Sequence, residues 1–161
     1  MTDGAADEPA RAGGRAFELV DLDTAATYDL RRRILRAGTP STDVTYRQDD
    51  LPGTFHLGVT RDGVLVGVSS WAVEEWPDEP GTPAVRLRGM AVEAELQGSG
   101  AGVALVVEGV RRAEARGHRL VWATARDAVL GFYERCGFEV VGEGFVDGPT
   151  ALPHHAVVRR L

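Results

Sequence analysis

The chain has 161 residues, 43% apolar and 26% charged, which fits one domain large enough to bury a hydrophobic core. Its formal net charge of −6 argues against a general binder of nucleic acid or anionic membranes. All 18 basic residues are arginine and Cys136 is the single cysteine, which excludes Schiff-base lysine chemistry, an intramolecular disulfide and a cysteine-based zinc site.

Met1 to Gly14 is acidic and rich in Ala and Gly, with no apolar stretch. That is the composition of a disordered tail rather than a signal peptide, so the folded domain is expected over residues 15–161. No apolar run approaches the roughly 20 residues of a membrane span, and a cytoplasmic location is the default expectation. Ala16 to Val20 predicts a first strand. Asp23 or Thr24 can cap a helix that runs through Leu30, Ile34 and Leu35 to Gly38, with Arg31-Arg32-Arg33 on its solvated face. Gly38 to Gly53 reads as a loop. Thr54 to Thr60 and Val64 to Glu75 predict two strands joined at Arg61-Asp62-Gly63, where Asp-Gly is a hairpin signal. Val85 to Val92 follows as a third, antiparallel strand.

A helix is predicted from near Val103 to Gly117, with Val103, Val106, Val107, Val110 and Ala113 on its buried face. Leu120 to Thr124 is nearly all apolar, as a buried parallel strand would be. Asp127 can cap a short helix, Ala128 to Cys136, closed by Gly137. Phe138 to Val141 predicts a strand, Phe145 to Pro153 a loop and His154 to Arg160 a last strand. The order β-α-β-β-β-α-β-α-β-β implies a single mixed α/β domain. Trp71 is expected in the core, whereas Trp76 fits either the core or a pocket.

The most informative stretch is Gln97-Gly98-Ser99-Gly100-Ala101-Gly102, between a strand and a helix. Glycines let a ligand approach the backbone, and the first N–H groups of the helix are free to bind an anion. A dinucleotide fingerprint fails, because Val103 stands at its third glycine position and no acidic residue ends the next strand. A P-loop fails for want of lysine.

The spacing that fits is Gln-x-x-Gly-x-Gly, at Gln97, Gly100 and Gly102. It follows the strand Arg88-Gly89-Met90-Ala91-Val92 and precedes, about thirty residues on, Gly131-Phe132-Tyr133-Glu134-Arg135-Cys136-Gly137-Phe138. In these three parts the chain resembles the GCN5-related N-acetyltransferase (GNAT) family, from about Ala16 to the C-terminus. The resemblance implies the GNAT fold, a mixed, mostly antiparallel central sheet flanked by helices. It also implies transfer of acetyl from acetyl-CoA to a primary amine of a small molecule or peptide in a ternary complex. Gln97, Gly98, Ser99, Gly100, Ala101 and Gly102 would hold the pyrophosphate through backbone N–H groups. Met90, Ala91 and Val92 would bond the pantetheine arm as a strand bonds its neighbour. Tyr133 would stand near the CoA sulfur and stabilise or protonate the leaving thiolate. Adjacent Phe132 and Tyr133 are expected to point in different directions on their helix. An Asn common in the family before this helix is absent; Ala125-Arg126-Asp127 stands there, with Arg126 either meeting a phosphate or lying on the surface. Cys136 reads as packing.

For the general base the sequence offers Glu74, Glu75, Glu93 and the pair His154-His155. Pro153-His154 resembles the start of the last strand in a small-acceptor branch of the family, and histidine suits the task. Glu74 and His154 are the leading candidates. The two histidines point to opposite strand faces, which argues against a metal pair. Homodimers are common in the family; no nucleic-acid or membrane partner is expected. A catalytically silent acyl-CoA sensor is the alternative, and a nucleotide-binding regulator a third reading resting on the glycine loop alone.

Overall fold

A computed structural model describes residues 16–161; the expected tail, Met1 to Gly14, lies outside the described residues. The strands are β1 (Glu18–Leu22), β2 (Phe55–Arg61), β3 (Val64–Val73), β4 (Ala84–Val92), β5 (Leu120–Arg126), β6 (Glu139–Val146) and β7 (Pro153–Arg160). They form one sheet in the order β1-β2-β3-β4-β5-β7-β6, with every neighbouring pair antiparallel except β4 and β5. A parallel pair needs a crossover, and α2 (Ala101–Ala115) supplies it. The short α3 (Leu130–Arg135) follows β5. The expected mixed α/β single domain is therefore what forms. Several strands outrun their predicted bounds, β5 reaching Arg126 instead of Thr124, and β6 gains most. β6 runs on to Val146, because the Gly142–Gly144 bulge lets pairing resume at Phe145 opposite His154.

Side chains alternate across the sheet. On one face Leu57, Val59, Trp71, Leu87, Val121, Ala123 and Val157 pack beneath Leu105, Val106 and Val110 of α2. Each Leu or Val so buried contributes roughly 1.5–3 kcal/mol. The predicted apolar row of α2 needs correction: Val103 and Val107 are exposed, while Ala101, Leu105 and Gly109 are buried with Val106, Val110 and Ala113. The reason is Trp71. A Cβ on Gly109 would lie 1.9 Å from Trp71 Cζ2, so the helix rests its bare backbone on the indole and is rotated to do so. Trp71 is fully buried, as expected. Trp76 packs on the opposite face against the cluster of Ala84, Leu120, Trp122 and Val158.

The first helical segment is irregular. A 3-10 turn (Ala25–Thr27) leads into α1 (Tyr28–Leu30) and a π-helical turn (Arg31–Leu35). Asp23 caps it, accepting from the Ala26 N–H at 2.9 Å. The solvated Arg31-Arg32-Arg33 face is corrected at its first member, since Arg31 is completely buried. Its guanidinium donates to both Asp49 carboxylate oxygens at 2.9 Å, to the Val44 carbonyl at 2.8 Å and to Ser70 Oγ at 2.6 Å. A buried arginine survives only with such a partner set, and the nearby carboxylate lies eighteen positions away in a loop.

Candidate active site

β4 carries a bulge. Ser70 pairs with Arg88 but Val68 pairs with Ala91, so Gly89 and Met90 together oppose Ser69. Gly89 has φ +59°, and a Cβ there would lie 2.8 Å from Arg31 Nε and 2.9 Å from Tyr46 Cε2. Only glycine fits this close approach. β4 leaves β5 just before the bulge: the two pair only at Ala84–Leu120, Val85–Val121 and Arg86–Trp122. Between Arg88–Val92 on one side and Thr124–Arg126 on the other, the sheet splits open. A cleft of about 1090 Å³ occupies the split and continues onto both faces. That is at the top of the roughly 300–1,000 Å³ of ordinary small-molecule sites, room for two substrates at once.

The glycine loop borders this cleft through Gln97, Gly98, Gly100 and Gly102. Gly98 and Gly100 have φ of +84° and +98°, and Gly100 caps α2 in the left-handed conformation. The first helical hydrogen bond is made by the Ala104 N–H to the Gly100 carbonyl, at 3.0 Å. The N–H groups of Ala101, Gly102 and Val103 are therefore without helical partners. Two expected donors are already engaged: the Gln97 N–H bonds the Ala94 carbonyl at 3.3 Å and the Ser99 N–H bonds Leu96 at 3.1 Å. The side chain of Gln97 donates to the Val92 carbonyl at 3.3 Å, and the Ser99 hydroxyl to Leu96. Ala101 turns its methyl into the core. Gly102 is needed for packing, since a Cβ there would lie 3.1 Å from Phe132 Cζ.

Tyr133 reaches the cleft from α3. Among the described residues its hydroxyl has one hydrogen-bond partner, the Met90 thioether at 4.0 Å, which is a weak acceptor. Burial, with smaller contributions from Cys136 and Tyr46, pushes the phenol well above its ordinary value and keeps it protonated. Phe132 and Tyr133 do not diverge as the sequence implied. Their rings meet edge to face at 5.3 Å and both line the cleft, because α3 is a short helix end around which the two rings fold together. Cys136 is buried and its thiol raised chiefly by that burial, in keeping with packing. Asp127 does not cap α3; its carboxylate meets His155 Nδ1 at 2.6 Å instead.

A glycine-rich helix entrance thus faces a split parallel strand pair, with a tyrosine at the split. The acetyltransferase (GNAT) family pattern matches residues 24–138. The chain belongs to the GNAT family. It is 34% identical over 145 residues, 90% of this chain and 97% of the relative, to the uncharacterized N-acetyltransferase YitI of Bacillus subtilis (strain 168). Among solved structures, FeeM, an N-acyl amino acid synthase from uncultured soil microbes, superposes with a TM-score of 0.76 at 16% identity, covering 90% of this chain and 91% of that one. An acyl-CoA N-acyltransferase from Pseudomonas aeruginosa gives 0.69 at 21% identity, covering 88% and 99%. At these identities the likeness is one of fold. The family and the homologue together make this GNAT chain an acyltransferase.

On the face opposite α2 and α3, the candidate bases separate. His154 is 7% exposed and lines the cleft, beside Arg126 in the β5–β7 register. Its Nδ1 lies 2.8 Å from the Leu152 carbonyl, which can only accept, so Nδ1 carries the proton and Nε2 keeps its lone pair. Glu74 lies on the same face but does not line the cleft. It pairs with Arg86 at 3.4 Å and accepts from Gln48 Nε2 at 3.2 Å, and Gln48 Oε1 in turn accepts from Arg88 at 3.0 Å. Glu93 is held by two hydrogen bonds from Arg33, which lower its carboxyl, and Glu75 accepts from the Gly81 N–H at 3.2 Å. The sequence reading missed Tyr46, Gln48 and Arg88. Of these, Arg88 was within reach: Arg86-Leu87-Arg88 alternates in a strand, which places both arginines opposite the core residue Leu87.

Proposed function

We propose that this chain transfers an acetyl group from acetyl-CoA to a primary amine in a ternary complex. The observation that carries the reading is the split between β4 and β5, bordered on one face by the glycine loop and Tyr133 and on the other by His154. The residues present fit the co-substrate. Free N–H groups at the entrance of α2 suit a pyrophosphate, and the β5-facing backbone edge of Met90, Ala91 and Val92 lacks a strand partner that pantetheine amides can replace. Gly98, Gly100, Ala101 and Gly102 are the loop donors we assign; Gln97 and Ser99 shape the turn. Acetyl-CoA supplies the activated thioester.

His154 Nε2 accepts the proton of the attacking amine, directly or through water. As the new N–C bond forms and the C–S bond breaks, the Tyr133 hydroxyl donates its proton to the departing thiolate. Burial keeps the phenol protonated and a hydrogen-bond donor to the thiolate, at the cost of making it a weaker acid. Glu74 sets Gln48 and Arg86 rather than meeting substrate, which leaves His154 as the assigned base.

The test is calorimetric CoA binding together with thiol release from acetyl-CoA across a broad amine panel. Binding plus amine-dependent release supports transfer. Tight binding without release for any amine overturns it in favour of an acyl-CoA sensor.

A further inference from the structure

We propose that the acceptor amine also carries a carboxylate, which Arg88 and Arg126 hold on the His154 face of the cleft. This rests on the transfer reading above and adds the chemical class of the acceptor.

Six arginines of the described residues meet a carboxylate: Arg31 with Asp49, Arg33 with Glu93, Arg86 with Glu74, Arg111 with Glu108, Arg112 with Asp21 and Arg160 with Glu79. Arg36, Arg88 and Arg126 line the cleft, and among the described residues none of them has a carboxylate within 4.0 Å. Their partners are neutral. Arg36 donates to the Asp43 carbonyl at 2.7 Å, Arg88 to Gln48 Oε1 at 3.0 Å, and Arg126 to the Leu35 carbonyl. The ring of Tyr46 lies 4.1 Å from the Arg88 guanidinium carbon and 6.0 Å from that of Arg36. The cleft as a whole is lined by five arginines against two aspartates, in a protein whose net charge is −6. Both aspartates are occupied locally: Asp43 accepts from Thr45 and Asp147 from Thr150. Burial, and then a neighbouring arginine, disfavour the charge on Arg88 and Arg126, so an incoming anion relieves both.

Strand alternation decides which substrate brings that anion. Ala123 and Ala125 belong to the core under α2, so Arg126 projects from the opposite face. It sits level with His154, its directly opposed partner, on that same face. Leu87 likewise faces α2, which sends Arg88 to the His154 side. The glycine loop and Tyr133 approach from the α2 side. The arginines therefore face the molecule that delivers its amine to His154, and a planar guanidinium matches a carboxylate.

The experiment uses matched acceptors: an amino acid, its carboxamide and the amine lacking the carboxyl carbon. Thiol release is measured, together with calorimetric binding of each acceptor to the CoA-loaded protein. The carboxylate form should be favoured by about 10–100-fold in kcat/KM and in affinity, the factor for hydrogen bonds to a charged group. Arg88→Gln should collapse that ratio to about two-fold or less by raising the acid's KM, with Arg126→Gln as a second variant should the first fail to fold. Equal or better use of the carboxamide, or an equal loss for acid and amide in both variants, overturns the proposal. Preferential binding of the acid without any thiol release would sustain the anion site while refuting transfer, which separates the two failures.

Discussion

Arg31 and Asp49 form a buried pair directly beneath the Gly89 bulge, with Arg31 Nε 2.8 Å from where a Cβ on Gly89 would stand. The same arginine bonds Ser70, whose partner across the ladder is Arg88. One salt bridge therefore supports the kink that opens β4 from β5, and the split depends on a pair that lies outside it.

Asp49→Asn should lower the unfolding free energy by about 3–5 kcal/mol, the cost of leaving a buried charge without its partner. It should also flatten the acid limb of stability. Burial raises the Asp49 carboxyl, but the hydrogen bonds from Arg31 and the Tyr46 N–H outweigh it, leaving it below its ordinary value. Its contribution is thus fully present above the unfolded-state value of about 3.9 and is lost as pH falls through the native value. Denaturant melts between neutral pH and the acid range check the sign; an unchanged slope in the variant would refute it.

Gly109→Ala separates helix propensity from packing. Alanine should gain up to about 1 kcal/mol in a helix interior. Against that, the methyl would stand 1.9 Å from Trp71 Cζ2 and 2.1 Å from Cε2, deep within any van der Waals radius. Overpacking of this kind costs typically about 1–3 kcal/mol and sometimes more, so net destabilisation is expected. A variant with a raised melting temperature would contradict the close approach of α2 to the sheet.

Gly100→Ala tests the loop. Open space surrounds the position, so the substitution strains only the backbone, at φ +98°. A left-handed residue with a Cβ costs about 1–2 kcal/mol. The thermal midpoint should fall by roughly 2–8 °C, and the affinity for CoA, measured by calorimetry, on the order of ten-fold as the loop relaxes away from its left-handed turn. Unaltered CoA affinity would remove the loop from the binding site.

Tyr133→Phe removes the hydroxyl and little else, because the ring keeps its edge contacts with Phe132 and Phe138 at 5.3 and 5.4 Å. Turnover with a good amine should drop about 10²-fold or more, with CoA affinity nearly constant. His154→Ala should likewise depress kcat more than CoA binding, and it differs from Tyr133→Phe in weakening attack rather than departure. Steady-state rates beside equilibrium CoA binding distinguish loss of chemistry from loss of substrate.

Much of this molecule was written locally. Alternation and turn residues marked the strands, and the hairpin at Asp62-Gly63 and the parallel position of Leu120–Arg126 followed from short-range pattern. Gly98 and Gly100 announced the turn into α2, because backbone conformation at φ above zero is a property of single residues. Partnership over distance was not legible. Arg31 reads as one of three exposed arginines until Asp49 and Ser70 close around it. Val103 and Val107 look like core until Trp71 fixes which side of α2 meets the sheet. His154 and Arg126 become neighbours only through the β5–β7 register, and Arg88 joins them only because β4 and β5 part after Arg86. The sequence alone determined the family, the strand and helix order and the glycine loop at the entrance of α2, each carried by residues close together in the chain. Only tertiary structure decided which charges are spent in ion pairs and which are left facing the cleft, since that depends on electrostatic partners far apart in the chain.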